Sequence, residues 1–186
     1  KIPGMLYAVV ERCTVLGGSL ANLDDVAALA VPGVVKIVTF TGTGTPMNVR
    51  ACVAVVATNI WAAMKGRKLL KITWNEGDKN RESTDALFKT FEQLAKEKPA
   101  KEVHTVGNVA AVLAPKSKTL QAEYAAPFLA HATMEPMNFI AEVKSDACEL
   151  WGGLQLPDWA VSDIAEKCGI KKEKIKVNLT LMGGGF

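Results

Sequence analysis

The stretch Cys148-Glu149-Leu150-Trp151-Gly152-Gly153-Leu154-Gln155-Leu156-Pro157, followed after a helical segment by Ile175-Lys176-Val177-Asn178-Leu179-Thr180-Leu181-Met182-Gly183-Gly184-Gly185-Phe186, decides the fold. Ile175, Val177, Leu179 and Leu181 alternate with Lys176, Asn178, Thr180 and Met182, the period of a strand with one buried face. Pro157 suits the first turn of a helix, where its missing N–H costs nothing. Ala160, Val161, Ile164, Ala165 and Cys168 mark that helix's apolar side, and Gly169 is its expected stop. The order is therefore strand end, helix, strand, glycine loop. Three glycines let the main chain approach another group closely and allow positive φ, so successive N–H groups can converge on an anionic or oxygen-rich ligand. The Lys-Ser/Thr of a phosphate loop and the spacing of a dinucleotide fingerprint are missing. Read alone, Gly183-Gly184-Gly185 also fits an ordinary turn or a loose tail.

Upstream, Phe139–Val143 and Cys148–Trp151 read as a hairpin across Lys144-Ser145-Asp146-Ala147. Leu120, Ala122 and Tyr124 alternate as a strand that Pro127 breaks. Nearer the start, Met5–Glu11 reads as a strand. Asn22 is placed to cap a helix over Leu23–Ala30, with Asp24 and Asp25 in its first turn. Val34–Phe40 is a second strand, Thr41–Asn48 a Gly/Thr/Pro loop, and Ala51–Ala57 a strand apolar enough to be covered on both faces. Thr58 or Asn59 caps a helix ending near Gly66, and Leu70, Ile72 and Trp74 alternate along a further strand. Thr84 begins an amphipathic helix whose Leu87, Phe88, Phe91 and Leu94 predict docking against an apolar surface. Gly107-Asn108 precedes a short Ala/Val helix stopped by Pro115. The division expected is 1–75 as a compact α/β unit, 76–117 as a connecting segment with an amphipathic helix, and 118–186 as a second unit, with the boundary around Lys116 to Lys118. The fold class is α+β.

The totals exclude several functions. The chain has 186 residues, 49% hydrophobic and 22% charged, with a net charge of +3. Lysines interleave with acids and no basic stripe forms, which argues against nucleic acid as a partner. Cys13, Cys52, Cys148 and Cys168 form no Cys-x-x-Cys pair, and His104 and His131 are the two histidines, a poor supply for zinc or another metal. Buried free thiols are expected. The longest apolar run is too short for a transmembrane segment. Both ends look like cuts, as in a piece of a longer polypeptide.

Two local features could carry chemistry. In His131-Ala132-Thr133-Met134-Glu135-Pro136-Met137-Asn138, a His and a Glu four apart before Pro suggest a fixed turn in which the carboxylate holds the imidazole or nearby N–H groups. A structural pair and a catalytic His–Glu pair are both open. Gln155, at a strand end, offers a neutral amide donor, and equally an exposed loop side chain.

The order of these pieces resembles the molybdopterin-binding large subunit of the xanthine dehydrogenase/aldehyde oxidase family, most closely its isoquinoline 1-oxidoreductase beta-subunit branch. The resemblance runs through Pro3-Gly4-Met5-Leu6-Tyr7-Ala8, Pro32-Gly33-Val34, Val53–Ala57, Tyr124–Pro127, His131–Asn138, Trp151–Gln155 and Gly183–Phe186. It implies that residues 1–75 form an α/β hammerhead-like domain and that 118–186 form the first β-β-α-β part of a molybdenum-cofactor-binding domain. It implies an oxidoreductase parent that holds molybdopterin cytosine dinucleotide and hydroxylates an N-heteroaromatic (isoquinoline-like) or aldehyde small-molecule substrate with water. Electrons would pass to an iron-sulfur small subunit carrying [2Fe-2S] clusters.

In that pattern Gln155 matches the glutamine that hydrogen-bonds a molybdenum oxo ligand. Gly183, Gly184, Gly185 and Phe186 match the main-chain loop beside the cofactor, and His131, Glu135 and Pro136 form the structural signature. Leu154 and Thr133 depart from the pattern, standing where Thr and Pro are common. The family's base, a glutamate, falls beyond residue 186, so this chain carries no catalytic residue and no metal ligand. Alone it is expected to be inactive and to hold no cofactor. Many relatives are exported, so the resemblance favours a periplasmic parent over a cytoplasmic one, and charge and cysteine counts leave both open. A stand-alone α/β binding module without redox activity is the alternative.

Overall fold

A computed structural model of the chain describes residues 2–43, 49–78, 81–97, 101, 103–113 and 118–185. Its contacts separate two compact units, Lys1–Val106 and Gly107–Phe186. The boundary expected at Lys116 to Lys118 falls largely on residues outside the described set.

In the first unit β1 (Tyr7–Arg12), β4 (Cys52–Ala57) and β3 (Val34–Phe40) form an antiparallel sheet in the order β1-β4-β3. β4 is central, paired Tyr7↔Ala57 through Arg12↔Cys52 on one side and Val34↔Ala57 through Phe40↔Cys52 on the other. Val53 and Val55 on one face are fully buried, and Ala54 on the other is 6% exposed, so both faces are covered as the apolar run requires. Helix α2 (Ile60–Leu69) lays Ala62, Ala63 and Gly66 against this sheet. It is capped by Asn59, whose side chain accepts from Ala62 N at 2.9 Å, and runs three residues past the stop expected at Gly66.

A strand absent from the sequence reading, β2 (Ser19–Asp24), pairs antiparallel with β5 (Lys71–Asn75). Asn22 therefore lies opposite Thr73 in a ladder and caps nothing. The helix expected over Leu23–Ala30 shrinks to α1 (Val26–Leu29), with Asp24 Oδ1 accepting from Val26 N at 3.3 Å. A helix this short is costly to nucleate, whereas β2 satisfies its backbone along all of β5. Helix α3 (Thr84–Lys96) is capped by Ser83 and has the apolar face expected, but none of its residues is buried. Leu87, Phe91 and Leu94 are 37%, 46% and 57% exposed, so among the described residues this face is not buried as expected.

The second unit opens with α4 (Val109–Val112), capped by Asn108. Residues 118–138 form no strand, and Leu120 and Tyr124 are more than nine-tenths exposed. Their alternation has no neighbouring strand to complete a ladder, and alternation without a partner does not hold an extended chain. Then β6 (Phe139–Val143) and β7 (Cys148–Gly152) form the expected hairpin, closed by Lys144 N donating to Ala147 O at 2.8 Å. Helix α5 (Pro157–Cys168) crosses over to β8 (Ile175–Leu179), which pairs parallel with β7 from Cys148↔Ile175 to Gly152↔Leu179. Gly169 at φ 67° ends α5 in the left-handed conformation.

This is the β-β-α-β order read from the sequence. Leu150, Cys148, Ile170 and Ile175 form its core, with Val161, Ile164, Ala165 and Val177 packed on it. Cys168, expected on the buried side, is exposed in the last turn, while Cys13 and Cys148 are buried. All four thiols are free. β8 stops at Leu179, and Leu181 is 95% exposed, because its partner strand ends at Gly152.

Candidate functional site

Parallel pairing makes β7 and β8 finish at the same end of their sheet, and the antiparallel β6 starts there. Three chain segments are thereby delivered to one place: 135–138 entering β6, Gly153 leaving β7, and 181–184 leaving β8. In open α/β sheets this carboxyl edge is where ligands bind. The three segments line a small cleft formed by Glu135, Pro136, Met137, Asn138, Gly153, Leu181, Met182, Gly183 and Gly184. Thr180 N donates to Gly152 O at 3.1 Å, extending the β7–β8 ladder by one bond before the chains part.

The 131–138 run is held by its own side chains. Thr133 Oγ1 donates to Glu135 O at 2.9 Å. Asn138 Nδ2 donates both to Glu135 Oε1 at 3.2 Å and to Pro136 O at 3.1 Å. Among the described residues, the Glu135 carboxylate thus takes the Asn138 amide rather than the His131 imidazole, and His131 is exposed. The fixed turn read from the sequence is present, with a different donor. Ala132 adopts φ 47°, a left-handed conformation that non-glycine residues visit sparingly.

The glycine loop packs onto that segment. A Cβ on Gly183 would lie 2.5 Å from Glu135 Oε2 and closer still to its Cβ. A Cβ on Gly184 would come within 2.8 Å of Thr133 Cγ2, and one on Gly185 within 3.3 Å of Met137 Cγ. Gly184 and Gly185 have φ of 102° and 84°, accessible without strain only to glycine. The close approach anticipated at the glycines is therefore made first to the chain's own Thr133, Glu135 and Met137. Sequence reasoning did not find Thr133, Met137 or Gly153 as parts of this edge. The pair Gly152-Gly153 at a strand end was the available signal: a Cβ on Gly153 would come within 3.1 Å of Met182 Cβ.

The donors left over define what the edge can do. Among the described residues, the N–H groups of Gly183, Gly184 and Gly185 have no acceptor. Gln155, exposed two residues beyond Gly153, likewise has no partner for its amide, and it does not line the cleft. Phe186 lies outside the described residues. Main-chain N–H groups without protein partners fit an acceptor-rich, anionic group, and they stabilise oxygen charge without becoming metal ligands. The cleft is half open to solvent, and the space within it, about 20 Å³, admits about one water. These residues therefore fit such a group as one wall. Among the described residues, no group of three His, Cys, Asp or Glu could hold a metal ion, and no helix is long and apolar enough to cross a membrane.

Residues 92–186 match the family model described as molybdopterin cofactor-binding domain. The chain belongs to that family. Within the molybdopterin cofactor-binding family, the chain is 29% identical to the isoquinoline 1-oxidoreductase subunit beta of Brevundimonas diminuta, over all of this chain and 24% of that protein. It is 23% identical to the aldehyde oxidoreductase molybdenum-binding subunit of Escherichia coli, over all of this chain and 27% of that protein. Quinoline 2-oxidoreductase from Pseudomonas putida has the same fold over the whole chain and 28% of its own, with a TM-score of 0.66 at 18% identity. The aldehyde oxidoreductase of Desulfovibrio gigas gives 0.65 at 17% identity, over the whole chain and 24% of its own. The chain spans about a quarter of the length of the curated relatives it matches. The match starts inside α3 and includes the whole β6-β7-α5-β8 sheet and its carboxyl edge.

Proposed function

We propose that this chain supplies one wall of the molybdenum-cofactor site in the large subunit of a molybdenum hydroxylase. The observation that carries the reading is the convergence of the His131–Asn138 turn, the end of β7 and the Gly183–Gly185 loop at one sheet edge, with main-chain N–H groups left without acceptors there. In this reading residues 1–75 are the hammerhead-like domain, 76–117 the connection, and 118–186 the start of the cofactor domain.

The cofactor is molybdopterin cytosine dinucleotide, which when bound would supply two-electron oxidation with oxygen drawn from water. In this reading Gln155, which lies outside the cleft in the chain alone, would donate its amide to an oxygen of that group. Gly183, Gly184 and Gly185 would present main-chain N–H groups to it, and Phe186, outside the described residues, is assigned with them by the resemblance alone. His131, Glu135 and Pro136 shape the turn behind the loop. No residue here is assigned as base. Substrate, an N-heteroaromatic or an aldehyde, and electron transfer to an iron-sulfur subunit with [2Fe-2S] clusters belong to the whole enzyme, which we place in the periplasm. The names of the relatives support the substrate classes, and the isolated chain is expected to retain no cofactor.

The test compares the 186-residue chain with the longer polypeptide produced beside an iron-sulfur partner, measuring molybdenum by mass spectrometry and oxidation of isoquinoline and of an aromatic aldehyde. Molybdenum with the long form alone, together with turnover of either substrate, is expected. Near-stoichiometric molybdenum in the isolated chain, or a metal-loaded long form that oxidises neither, contradicts the proposal.

A further inference from the structure

From the packing at the sheet edge we infer that Glu135 is the positioning residue of the glycine loop: it sets where the Gly184 and Gly185 N–H groups point. Three consecutive glycines face three alternate residues of the turn. Gly183 rests on Glu135, Gly184 on Thr133, and Gly185 on Met137 with Thr133 beside it. Glu135 is the pinned member of that set. Its Oε1 accepts from Asn138 Nδ2, its carbonyl accepts from Thr133 Oγ1, and the Asn138 amide also ties down the Pro136 carbonyl. The second carboxylate oxygen, Oε2, then lies where any side chain at 183 would have to go.

Real Cβ atoms do not approach other atoms to 2.5 Å, so no side chain fits at 183 while Glu135 keeps its place. The role is one of shape and of accepting the Asn138 hydrogen bond, not of acid–base chemistry. Glutamine, which keeps the acceptor oxygen and the bulk, serves in its place; alanine, which keeps neither, does not. The consequence for cofactor retention rests on the function proposed above, whereas the loop geometry stands without it.

The experiment reads the backbone amide resonances of Gly184 and Gly185 in the isotope-labelled 186-residue chain, with the β6–β7 amides as the control for folding. Glu135→Ala moves the two glycine resonances, and Glu135→Gln leaves them near their native positions. Gly183→Ala moves them too, and in Gly183→Ala/Glu135→Gly the displacement is smaller than the sum of those from Gly183→Ala alone and Glu135→Gly alone, because the clash has lost one partner. Unmoved glycine amides in a folded Glu135→Ala chain, or additive displacements in the double variant, overturn the inference. In the longer polypeptide, Glu135→Ala lowers cofactor affinity roughly 10-fold, as loss of an outer support does. Displaced amides with unchanged molybdenum content would leave the positioning role standing and overturn the cofactor reading beneath it.

Discussion

Asn178 and Glu149, on neighbouring parallel strands, are joined side chain to side chain: Asn178 Nδ2 donates to Glu149 Oε1 at 2.9 Å and to the Leu150 carbonyl at 3.1 Å. Lys176 Nζ donates to the same carboxylate oxygen at 2.6 Å. The Lys176 hydrogen bond first, and the Asn178 one after it, hold the Glu149 carboxyl below its ordinary value of 4.5. A depressed carboxylate contributes stability that is fully present above its unfolded value and is lost as pH falls through the folded one. Thermal unfolding of the chain from about pH 7 to about pH 3 should therefore show a steeper acid loss than Glu149→Gln, whose curve is flatter below pH 4.5. Parallel acid limbs for the two proteins would count against the linkage.

Leu150 is fully buried in the middle of the β6-β7-β8 sheet. Leu150→Ala removes its packing and leaves a cavity, at about 2–5 kcal/mol. A urea titration followed by circular dichroism should show the midpoint falling accordingly, and a loss below about 1 kcal/mol would mean the site collapses around the gap.

Gly66 tests two opposed effects. Alanine gains about 1 kcal/mol over glycine inside a helix. Its Cβ, however, would stand 2.9 Å from Val55 Cγ1 and 3.1 Å from Val34 Cγ2, and Val55 is fully buried. Overpacking of this kind costs about 1–3 kcal/mol, so Gly66→Ala is expected to lower the thermal midpoint. A raised midpoint would show that the two valines give way easily.

The thiols should separate by reactivity. Cys168 is exposed, Cys13 and Cys148 are buried, and burial pushes the Cys148 thiol up, with Cys168 adding to it. Titration with a colourless disulfide reagent in native buffer should label Cys168 first, with Cys13 and Cys148 reacting only once urea is added. Peptide mass mapping assigns the order, and early labelling of Cys148 would contradict the burial.

The β-β-α-β half was legible because each signal was local and consistent: period-2 alternation at 175–181, Pro157 and Gly169 bracketing α5, and a hairpin turn at 144–147. β2 was hidden for a local reason as well. Its register shifts between Leu20 and Asn22, which breaks the alternation, and Asp24-Asp25 imitates a helix start. Leu120–Tyr124 gave the opposite error, a clean alternation with no strand beside it among the described residues. At the candidate site, the glycines announced a close approach, but Thr133, Glu135 and Met137 are some fifty residues away in the chain. Only the sheet's connectivity brings them against the glycines, so the 131–138 turn was legible in the sequence and its contact with the loop was not.

Because β7 and β8 point the same way, the excursion through α5 and the mouth of the sheet are geometrically independent. The helix could be lengthened, shortened or rewritten on its outer side, and both strands would still discharge their ends at the same rim. The rim in turn tolerates little drift, since its glycines are wedged against a turn from another part of the chain. Variation among relatives should therefore accumulate along the crossover, and substitutions at the rim should come in matched pairs.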